Sequence, residues 1–225
     1  MLSIIIPTLN AASSLPTCLG PLVPGALGGL VKELVAVDGG SQDATLAILD
    51  DAGARIITSK PGRGLQLATG GKVAKSDWLL FLHADTILAD GWISEVESFI
   101  KNNQWQKAGV FRFKLDDQRL RARFLEKVVR TRCRLFALPY GDQGLLISRA
   151  LYDQIGGFGN LVLMEDVDIV ARIGRARLHY FKTPAITNAE RYQRDGYIAR
   201  MARNAHCLAM WYGGVAPEKI LEKYR

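Results

Sequence analysis

Short apolar segments alternate with helical patterns through the first half of the chain. The apolar segments are rich in Val, Ile and Leu without polar alternation, which is typical of strands covered on both faces of a parallel sheet. They are predicted as strands over 2–6, 34–37, 54–58 and 78–82. The segments between them, predicted as crossover helices, are 11–22, 42–51 and 65–74. The pattern predicts an α/β fold with a Rossmann-like, mostly parallel sheet and a ligand site beyond the carboxyl ends of its strands.

The second half of the chain is less regular. Its predicted strands are 108–115 and 144–148, and its predicted helices are 119–137, 166–173, 197–212 and a short one from Pro217. The sequence has no internal repeat, low-complexity tract or linker that would separate two domains. With 225 residues, 48% of them hydrophobic, it is long enough to bury a sizeable core. We therefore expect one domain over residues 1–225.

Composition argues against membrane-spanning and disulfide-stabilised classes. No stretch reaches the roughly 18 consecutive apolar residues that a membrane span needs, and the N-terminus lacks the pattern of a signal peptide. We therefore expect a cytoplasmic protein. The three cysteines lie too far apart for a zinc site and are odd in number for a disulfide framework. Cys18, Cys133 and Cys207 are expected to be buried thiols.

Positive charge is concentrated in one segment. The formal net charge is +7, and residues 119–134 hold seven basic residues against one acid, Glu126. A protein that coats nucleic acid would spread its charge more widely, so this concentration indicates a single local partner. Apolar residues recur in the segment at roughly helical spacing. The segment is therefore either an amphipathic helix packed on the core or a helix lying on anionic lipid.

Two carboxylates follow two of the predicted parallel strands. Asp38 and Asp85 should therefore reach the same rim of the sheet. In "DGGSQDAT", Ser41 is predicted to cap a helix and Asp43 to complement the dipole of its first turn. Asp38 precedes that turn, so a ligand hydroxyl or base edge is its expected partner. Asp85 offers a hard oxygen ligand to a divalent cation on a diphosphate, or else it caps the following segment.

Two glycine-rich segments do not match known nucleotide-binding motifs. "GRGLQL" has Leu67 where a dinucleotide fingerprint needs its third glycine, and "GGKVAKS" has Val73 where a P-loop needs Ser or Thr. What remains is Arg63, between a strand and a helix. It is predicted either to meet a phosphate or to be a solvated loop arginine.

Two more polar clusters stand in the second half. Glu165 and Asp166 begin a predicted helix, where each acid gains about 0.3 to 1 kcal/mol from the dipole without any chemistry. Their adjacency also raises at least one pKa in a partly closed site, which would make a general base. Asp142 and Gln143 precede a buried strand, where they either hold sugar or acceptor hydroxyls or make the turn.

Taken together, these segments resemble the family two inverting glycosyltransferases with the GT-A fold. The resemblance is closest to a small bacterial and cyanobacterial branch of soluble members with "HAD" in place of the usual D-x-D. It rests on the order and spacing of five segments over most of the chain. They are "SIIIPTLN", "DGGSQDAT", "GRGLQLATG", "FLHADT", and "GDQGLLISRALYDQIGGF" followed by "MEDVDI".

For the first half, 1–110, the resemblance implies binding of a nucleotide sugar, with UDP as the expected nucleotide. Asp38 would contact the uracil or ribose, and Arg63 would lie near the nucleotide. Asp85 would hold Mg²⁺ or Mn²⁺, although His83 stands where the family more often has a second acid. The nucleotide would be bordered by Pro7, Thr8 and Asn10.

For the second half, 111–225, the resemblance implies acceptor binding and the catalytic base. Asp142 and Gln143 would lie on the sugar or acceptor side. Asp166 would take the proton of an acceptor hydroxyl, supported by Glu165, while the metal neutralises charge on the departing diphosphate. The acceptor would be lipid-like if the basic segment touches a membrane.

Two other functions are compatible with parts of the sequence. A sugar-phosphate nucleotidylyltransferase also uses an α/β nucleotide sheet and a metal, but it should carry a glycine-rich basic loop directly after the first strand, which "PTLNAAS" lacks. The second alternative is a module that binds a nucleotide sugar or docks on a membrane without catalysing a reaction. It is favoured if Asp166 faces solvent as a helix cap and disfavoured if Asp166 and Asp85 face one pocket.

Overall fold

A computed structural model describes residues 1–102 and 104–224. Eight strands form one sheet in the order β3-β2-β1-β4-β7-β6-β8-β5. The strands are β1 (Leu2–Thr8), β2 (Val31–Asp38), β3 (Arg55–Thr58), β4 (Trp78–Phe81), β5 (Thr86–Leu88), β6 (Ala108–Leu115), β7 (Leu145–Ser148) and β8 (Leu178–Thr187). The helices are α1 (Leu15–Leu19), α2 (Val23–Leu27), α3 (Thr45–Asp51), α4 (Arg63–Val73), α5 (Trp92–Lys101), α6 (Leu120–Phe136), α7 (Arg149–Gln154), α8 (Glu165–Ile173), α9 (Glu190–Asp195), α10 (Tyr197–Tyr212) and α11 (Pro217–Tyr224).

The first four strands form the parallel half of the sheet that the sequence predicts. β1 lies between β2 and β4, and β3 lies outside β2. Thr8 pairs with Asp38 and Ile5 with Phe81, so the carboxyl ends of β1, β2 and β4 reach the same rim. Helices cover these strands, and β1 and β4 are buried nearly throughout. This explains why they are apolar without polar alternation.

The second half extends the sheet with antiparallel pairs. β7 runs antiparallel to β4 and β6, while β8 is parallel to β6 and antiparallel to β5. β5 was not predicted, because it has only three residues. It matters for the site, since Thr86 pairs with Thr187 and thereby brings the chain after β8 next to Asp85.

The predicted helix over 11–22 is wrong in its bounds. The segment contains α1 and a single 3₁₀ turn over Gly20–Leu22, and α2 follows directly after it. Pro16, Pro21 and Pro24 lack the amide hydrogen that a continuous helix needs, which accounts for the short pieces. Helices α5, α7 and α9 and strand β8 were also absent from the prediction.

Close packing explains the glycines of "GRGLQLATGG". A Cβ at Gly70 would collide with Ile5 of β1, and a Cβ at Gly71 would lie 2.4 Å from the hydroxyl oxygen of Tyr152. These glycines therefore let α4 lie directly on β1 and beside α7. The motif serves helix packing at these positions.

Helix α6 packs one face on the second half of the sheet. Ala122, Leu125, Val129 and Cys133 are buried against Phe113 and Leu115 of β6 and residues near α10. The three cysteines are buried free thiols, as predicted. Among the described residues, no helix combines the length and apolarity needed to cross a membrane.

Candidate active site

A cavity of about 360 Å³ lies at the rim formed by the ends of β1 and β4. Its walls come from both halves of the chain, since Asn10 and Asp85 face residues that follow α6 and β8. Its charged side chains are Asp85, Asp142, Asp166, Glu190, Arg63, Arg191 and Arg200. The fold therefore brings Asp85 and Asp166 to one cavity, although they are remote in sequence.

The Asp85 carboxylate does not stabilise the turn in which it lies. It lies in the turn between β4 and β5, is half-buried, and accepts no hydrogen bond from any residue in the described ranges. The turn is closed instead by the backbone, through Thr86 N to His83 O at 3.1 Å. The sequence left open whether Asp85 caps the next segment, and the structure gives no contact for such a cap. Its carboxylate is free to bind a ligand.

His83 lines the same cavity as a neutral side chain. Burial, together with the positive charges of Arg63 and Arg191, lowers the pKa of His83 to about 3. The ring packs against Gly141, where an added Cβ would lie 2.7 Å from His83 Nε2. A glycine at 141 is therefore needed for the close approach of this loop.

The donor atoms at the cavity fit a divalent cation only if a ligand supplies most of its coordination. Within the described ranges, no three His, Cys, Asp or Glu side chains are grouped closely enough to hold a metal ion. Asp85 nevertheless presents a free carboxylate there, and Mg²⁺ is commonly held by one or two carboxylates together with substrate phosphates. The site fits a metal that arrives with a diphosphate.

Asp142 carries an unpaired oxygen at the cavity. Its Oδ1 is buried without a hydrogen-bond partner among the described residues. The pKa of Asp142 is raised to about 7, chiefly by burial and also by the carboxylates of Asp166 and Asp85, while the positive charge of Arg132 opposes the shift. A buried carboxyl oxygen with no donor costs free energy, so this atom indicates a ligand contact.

Asp166 faces the cavity from the first turn of α8. Its Oδ2 accepts the backbone N–H of Gly141 at 2.8 Å, and its Oδ1 accepts that of Val167 at 2.8 Å. Each oxygen keeps a second lone pair. Asp166 is thus fixed in orientation by the loop over Gly141–Gln143 and can still accept a proton.

Glu165 does not line the cavity and pairs with Arg63, which does. It is fully buried, and its Oε1 accepts a hydrogen bond from Arg63 Nε at the start of α4. Burial raises the pKa of Glu165, and the charge of Arg63 opposes that shift. A Cβ at Gly64 would lie 2.7 Å from the carbonyl oxygen of Gly159, so this glycine lets the loop before α8 approach α4. The two acids at the start of α8 therefore have different surroundings.

Asp38 requires a correction. It is 1% exposed, and its carboxylate accepts hydrogen bonds from Gly40 N, Ser41 N, Ser41 Oγ and Thr8 Oγ1. Asp38 therefore builds its own turn, contrary to the expectation that its carboxylate is free for a ligand. Ser41 bonds to Asp38 and does not cap α3. The N-cap position of α3 is Ala44, and just before it the Oδ1 of Asp43 accepts Thr45 N at 3.0 Å.

Gln143 and the residues at the end of β1 also differ from the expectation. The Gln143 side chain is buried, donates to Phe111 O at 2.8 Å and accepts from Cys133 Sγ at 3.2 Å, so it does not reach the cavity. Thr8 is likewise buried, beside Asp38. Of Pro7, Thr8 and Asn10, only Asn10 lines the cavity.

The sequence interpretation missed the residues that the C-terminal segments contribute. Arg191 and Tyr192 of α9, Arg200 of α10 and Tyr224 of α11 line the cavity. Arg200 lies 4.4 Å from the centroid of the Tyr224 ring and pairs with Asp195 at 3.3 Å. Arginines and tyrosines recur in "ERYQRDGYIAR", but the local sequence pattern does not predict that this stretch folds back over the first half.

Comparison with solved structures identifies the fold. S. aureus TarS 1–349 superposes with a TM-score of 0.64 over 99% of this chain and 70% of that chain, at 16% identity. Glucosyl-3-phosphoglycerate synthase from Mycobacterium tuberculosis, in complex with Mn²⁺, UDP and glucosyl-3-phosphoglycerate, superposes with a TM-score of 0.62 over 96% of this chain and 80% of that chain, at 19% identity. The fold is the GT-A fold, as the resemblance implied.

Comparison of sequences identifies the family. A PGL/p-HBAD biosynthesis glycosyltransferase of Mycobacterium bovis (strain BCG / Pasteur 1173P2) and one of Mycobacterium tuberculosis (strain ATCC 25618 / H37Rv) are each 40% identical over 118 residues. The match covers 46% of this chain and 43% of each relative, so the chain spans less than half the length of these relatives. The family model for glycosyl transferase family 2 matches residues 3–153, and the chain therefore belongs to that family.

Proposed function

We propose that the chain transfers a sugar from a nucleotide-sugar donor, a UDP-sugar, to an acceptor hydroxyl with inversion at the anomeric carbon. The observation that carries the proposal is that Asp85 and Asp166 line one cavity together with Arg63, Arg191 and Arg200. Carboxylates there suit a metal and a base, and arginines suit a diphosphate. We also propose that residues 1–225 act as one catalytic unit, because the cavity walls come from both 1–110 and 111–225.

In this proposal Asp166 is the general base. The acceptor oxygen attacks the anomeric carbon while its proton moves to Asp166, and the bond from the anomeric carbon to the diphosphate oxygen breaks with its electron pair on the diphosphate. The hydrogen bond from Gly141 N holds the Asp166 carboxylate in place. Glu165, paired with Arg63, supports the position of the helix that carries Asp166.

The leaving diphosphate needs positive charge. Arg63, Arg191 and Arg200 lie on the walls of the cavity and would stabilise it. Mg²⁺ or Mn²⁺ held by Asp85 and the diphosphate would supply Lewis-acid neutralisation of the same charge. Asp142, whose Oδ1 has no partner among the described residues, is proposed to accept a hydrogen bond from a sugar or acceptor hydroxyl.

The module without turnover is disfavoured by the position of Asp166. If Asp166 only capped its helix and faced solvent, it could not act as a general base. Asp166 and Asp85 instead line one cavity. A nucleotidylyltransferase is disfavoured by membership of glycosyl transferase family 2. We further propose that the acceptor is lipid-like and that the protein meets the inner face of a membrane through residues 119–134.

The test separates binding from transfer. Thermal unfolding is measured with a panel of UDP-sugars, with and without Mn²⁺. The true donor should raise the unfolding temperature, because it binds only the folded protein. Asp166→Asn should keep that shift and lower the turnover of the donor by about 10²- to 10⁴-fold, which is the contribution typical of a general base. Asp168→Asn, on the same helix but paired with Arg172, is the matched control and should keep its activity. Retained transfer by Asp166→Asn would refute the assignment.

A further inference from the structure

We propose that α6 and a basic groove beside it form the surface by which the protein docks on an anionic phospholipid bilayer. The proposal deepens the proposed function, since it rests on that function for the nature of the acceptor. It adds residues outside the basic segment and states which side of the molecule meets the lipid.

The outer face of α6 is an exposed apolar stripe. Leu120, Phe124 and Leu135 are 87%, 62% and 59% exposed, and Val128 is also exposed. Leu120, Phe124 and Val128 are each four residues apart, which places their side chains on one face of the helix. They lie opposite the buried face of Ala122, Leu125 and Val129. An apolar stripe of this kind on an ordered helix marks an interaction surface.

The groove lies along one side of this stripe. It has a volume of about 550 Å³ and is bounded by α6 and by strands β6 and β8. Its basic residues are Arg112, Lys114, Arg123, Lys127, Arg130, Arg134 and Lys182. The only acid on its walls, within the described part of the chain, is Glu126, which pairs with Arg123 at 2.9 Å.

Most of the groove charge is not neutralised by the protein itself. Among the described residues, no carboxylate lies within ion-pair distance of Lys127, Arg130 or Lys182. Arginine and lysine side chains that converge without acids attract phosphate groups. The groove thus fits the phosphate of a lipid headgroup.

The two features together select a bilayer over a soluble anion or a nucleic acid. A phosphate-bearing ligand in water would gain nothing from exposed Leu120 and Phe124. A helix that lies in the plane of a membrane interface needs an apolar face to insert and basic residues beside it to meet anionic headgroups. Helix α6 has 17 residues, a length of about 25 Å, which is enough for several lipids to make contact.

The groove and the candidate active site share one loop. Arg132 of α6 lies 3.5 Å from the centroid of the Tyr140 ring, and Tyr140 lines the catalytic cavity. In the turn that follows, Asp142 lines the catalytic cavity while the buried Gln143 lines the groove. A protein docked through α6 would therefore hold its catalytic cavity one loop away from the lipid surface, where a lipid-like acceptor presents its hydroxyl.

The experiment measures sedimentation of the full chain with vesicles of phosphatidylcholine, alone or with about 30 mol% phosphatidylglycerol as the anionic lipid. We expect binding to the anionic vesicles only, weakening as salt is raised. Lys127→Gln/Arg130→Gln should bind about 30-fold more weakly, because each basic residue at an anionic membrane surface contributes about 1 kcal/mol of binding free energy. Leu120→Ser/Phe124→Ser should bind at least about tenfold more weakly, because two apolar side chains no longer insert.

Matched controls are available on other surfaces. Leu27 is 85% exposed on α2, and Lys72 and Lys75 are exposed at the end of α4, so Leu27→Ser and Lys72→Gln/Lys75→Gln should sediment like the unchanged protein. Equal binding to both vesicle types, no sedimentation with the anionic vesicles, or control variants that lose as much vesicle binding as the α6 variants would each overturn the proposal. Donor-induced thermal shifts are measured on the same samples, so failure to dock and failure to bind a nucleotide sugar are distinguished.

Discussion

Two carboxylates at the same rim of the sheet have opposite surroundings. Asp38, at the end of β2, is buried and accepts four hydrogen bonds from its own turn and from Thr8. Asp85, after β4, faces the cavity and accepts none from the described residues. A carboxylate whose lone pairs are filled by the protein holds the scaffold, whereas one left without donors is available to a ligand.

The same comparison separates the neighbouring pair Asp142 and Gln143. The Gln143 amide is used by Phe111 and Cys133, and the Asp142 Oδ1 has no partner among the described residues. Adjacent residues in one short turn therefore belong to different regions of the molecule. We therefore propose that Asp85 and Asp142 lie on the ligand side, and that Asp38 and Gln143 lie on the scaffold side.

Within this comparison the largest expected effect is that of Asp85→Asn. We expect the rate of sugar transfer to fall about 10²-fold or more, because the metal it would hold contributes several kcal/mol to charge stabilisation. The free energy of unfolding should stay nearly unchanged, since Asp85 makes no hydrogen bond to the described residues. Transfer assays and urea unfolding measure both. Asp90→Asn, an exposed acid just beyond β5, is the control. Full activity of Asp85→Asn would contradict the claim that Asp85 serves a ligand whereas Asp38 serves the fold.

Asp38→Asn should show the reverse. The amide leaves donors of Gly40 and Ser41 unpaired, so we expect the free energy of unfolding to fall by about 1.5 to 3 kcal/mol. Urea unfolding measures the loss. If stability is unchanged while affinity for UDP falls, Asp38 contacts the nucleotide, as the family resemblance implies, and the scaffold interpretation is wrong.

The sequence was sufficient for elements whose signal is local. The bounds of β6 and α10 were predicted at Ala108–Leu115 and Tyr197–Tyr212, because periodicity and burial along one segment decide them. One of the four hydrogen bonds to Asp38 comes from Thr8 of another strand, and the side chain of Gln143 donates to Phe111 of β6. Arg191 and Arg200 join the site only because β5 pairs with β8 and the last helices fold back. Contacts between remote segments carry no local pattern in the sequence.

Gln143→Ala should lower the stability of the protein without changing its affinity for the donor. Removing the side chain leaves the Phe111 carbonyl without its donor, so we expect a loss of about 1 to 3 kcal/mol of stability. The dissociation constant for the donor should not change, because Gln143 does not line the cavity that Asp85 and Asp166 share. Calorimetric titration checks the second point, and a selective loss of donor affinity would move Gln143 to the ligand side.

The smallest expected effect concerns acid pH. Burial alone would raise the pKa of Asp38, but hydrogen bonds from Ser41, Gly40 and Thr8 lower it below the ordinary 3.8. The ionised Asp38 therefore stabilises the fold above that value, and the contribution is lost as pH falls from about 3.8 through the lower folded pKa. In Asp38→Asn, unfolding measured from pH 5 downward should depend less steeply on pH than in the unchanged protein. Equal slopes would contradict this account.

The most direct measurement is a crystal structure of the chain with UDP and Mn²⁺, with anomalous scattering to locate the metal. We predict that Mn²⁺ binds the Asp85 carboxylate and oxygens of the diphosphate, with the Asp166 carboxylate across the same cavity and Asp38 still bonded to its own turn. A metal bound away from Asp85, or a diphosphate outside the cavity that Asp85 and Asp166 share, would contradict the account.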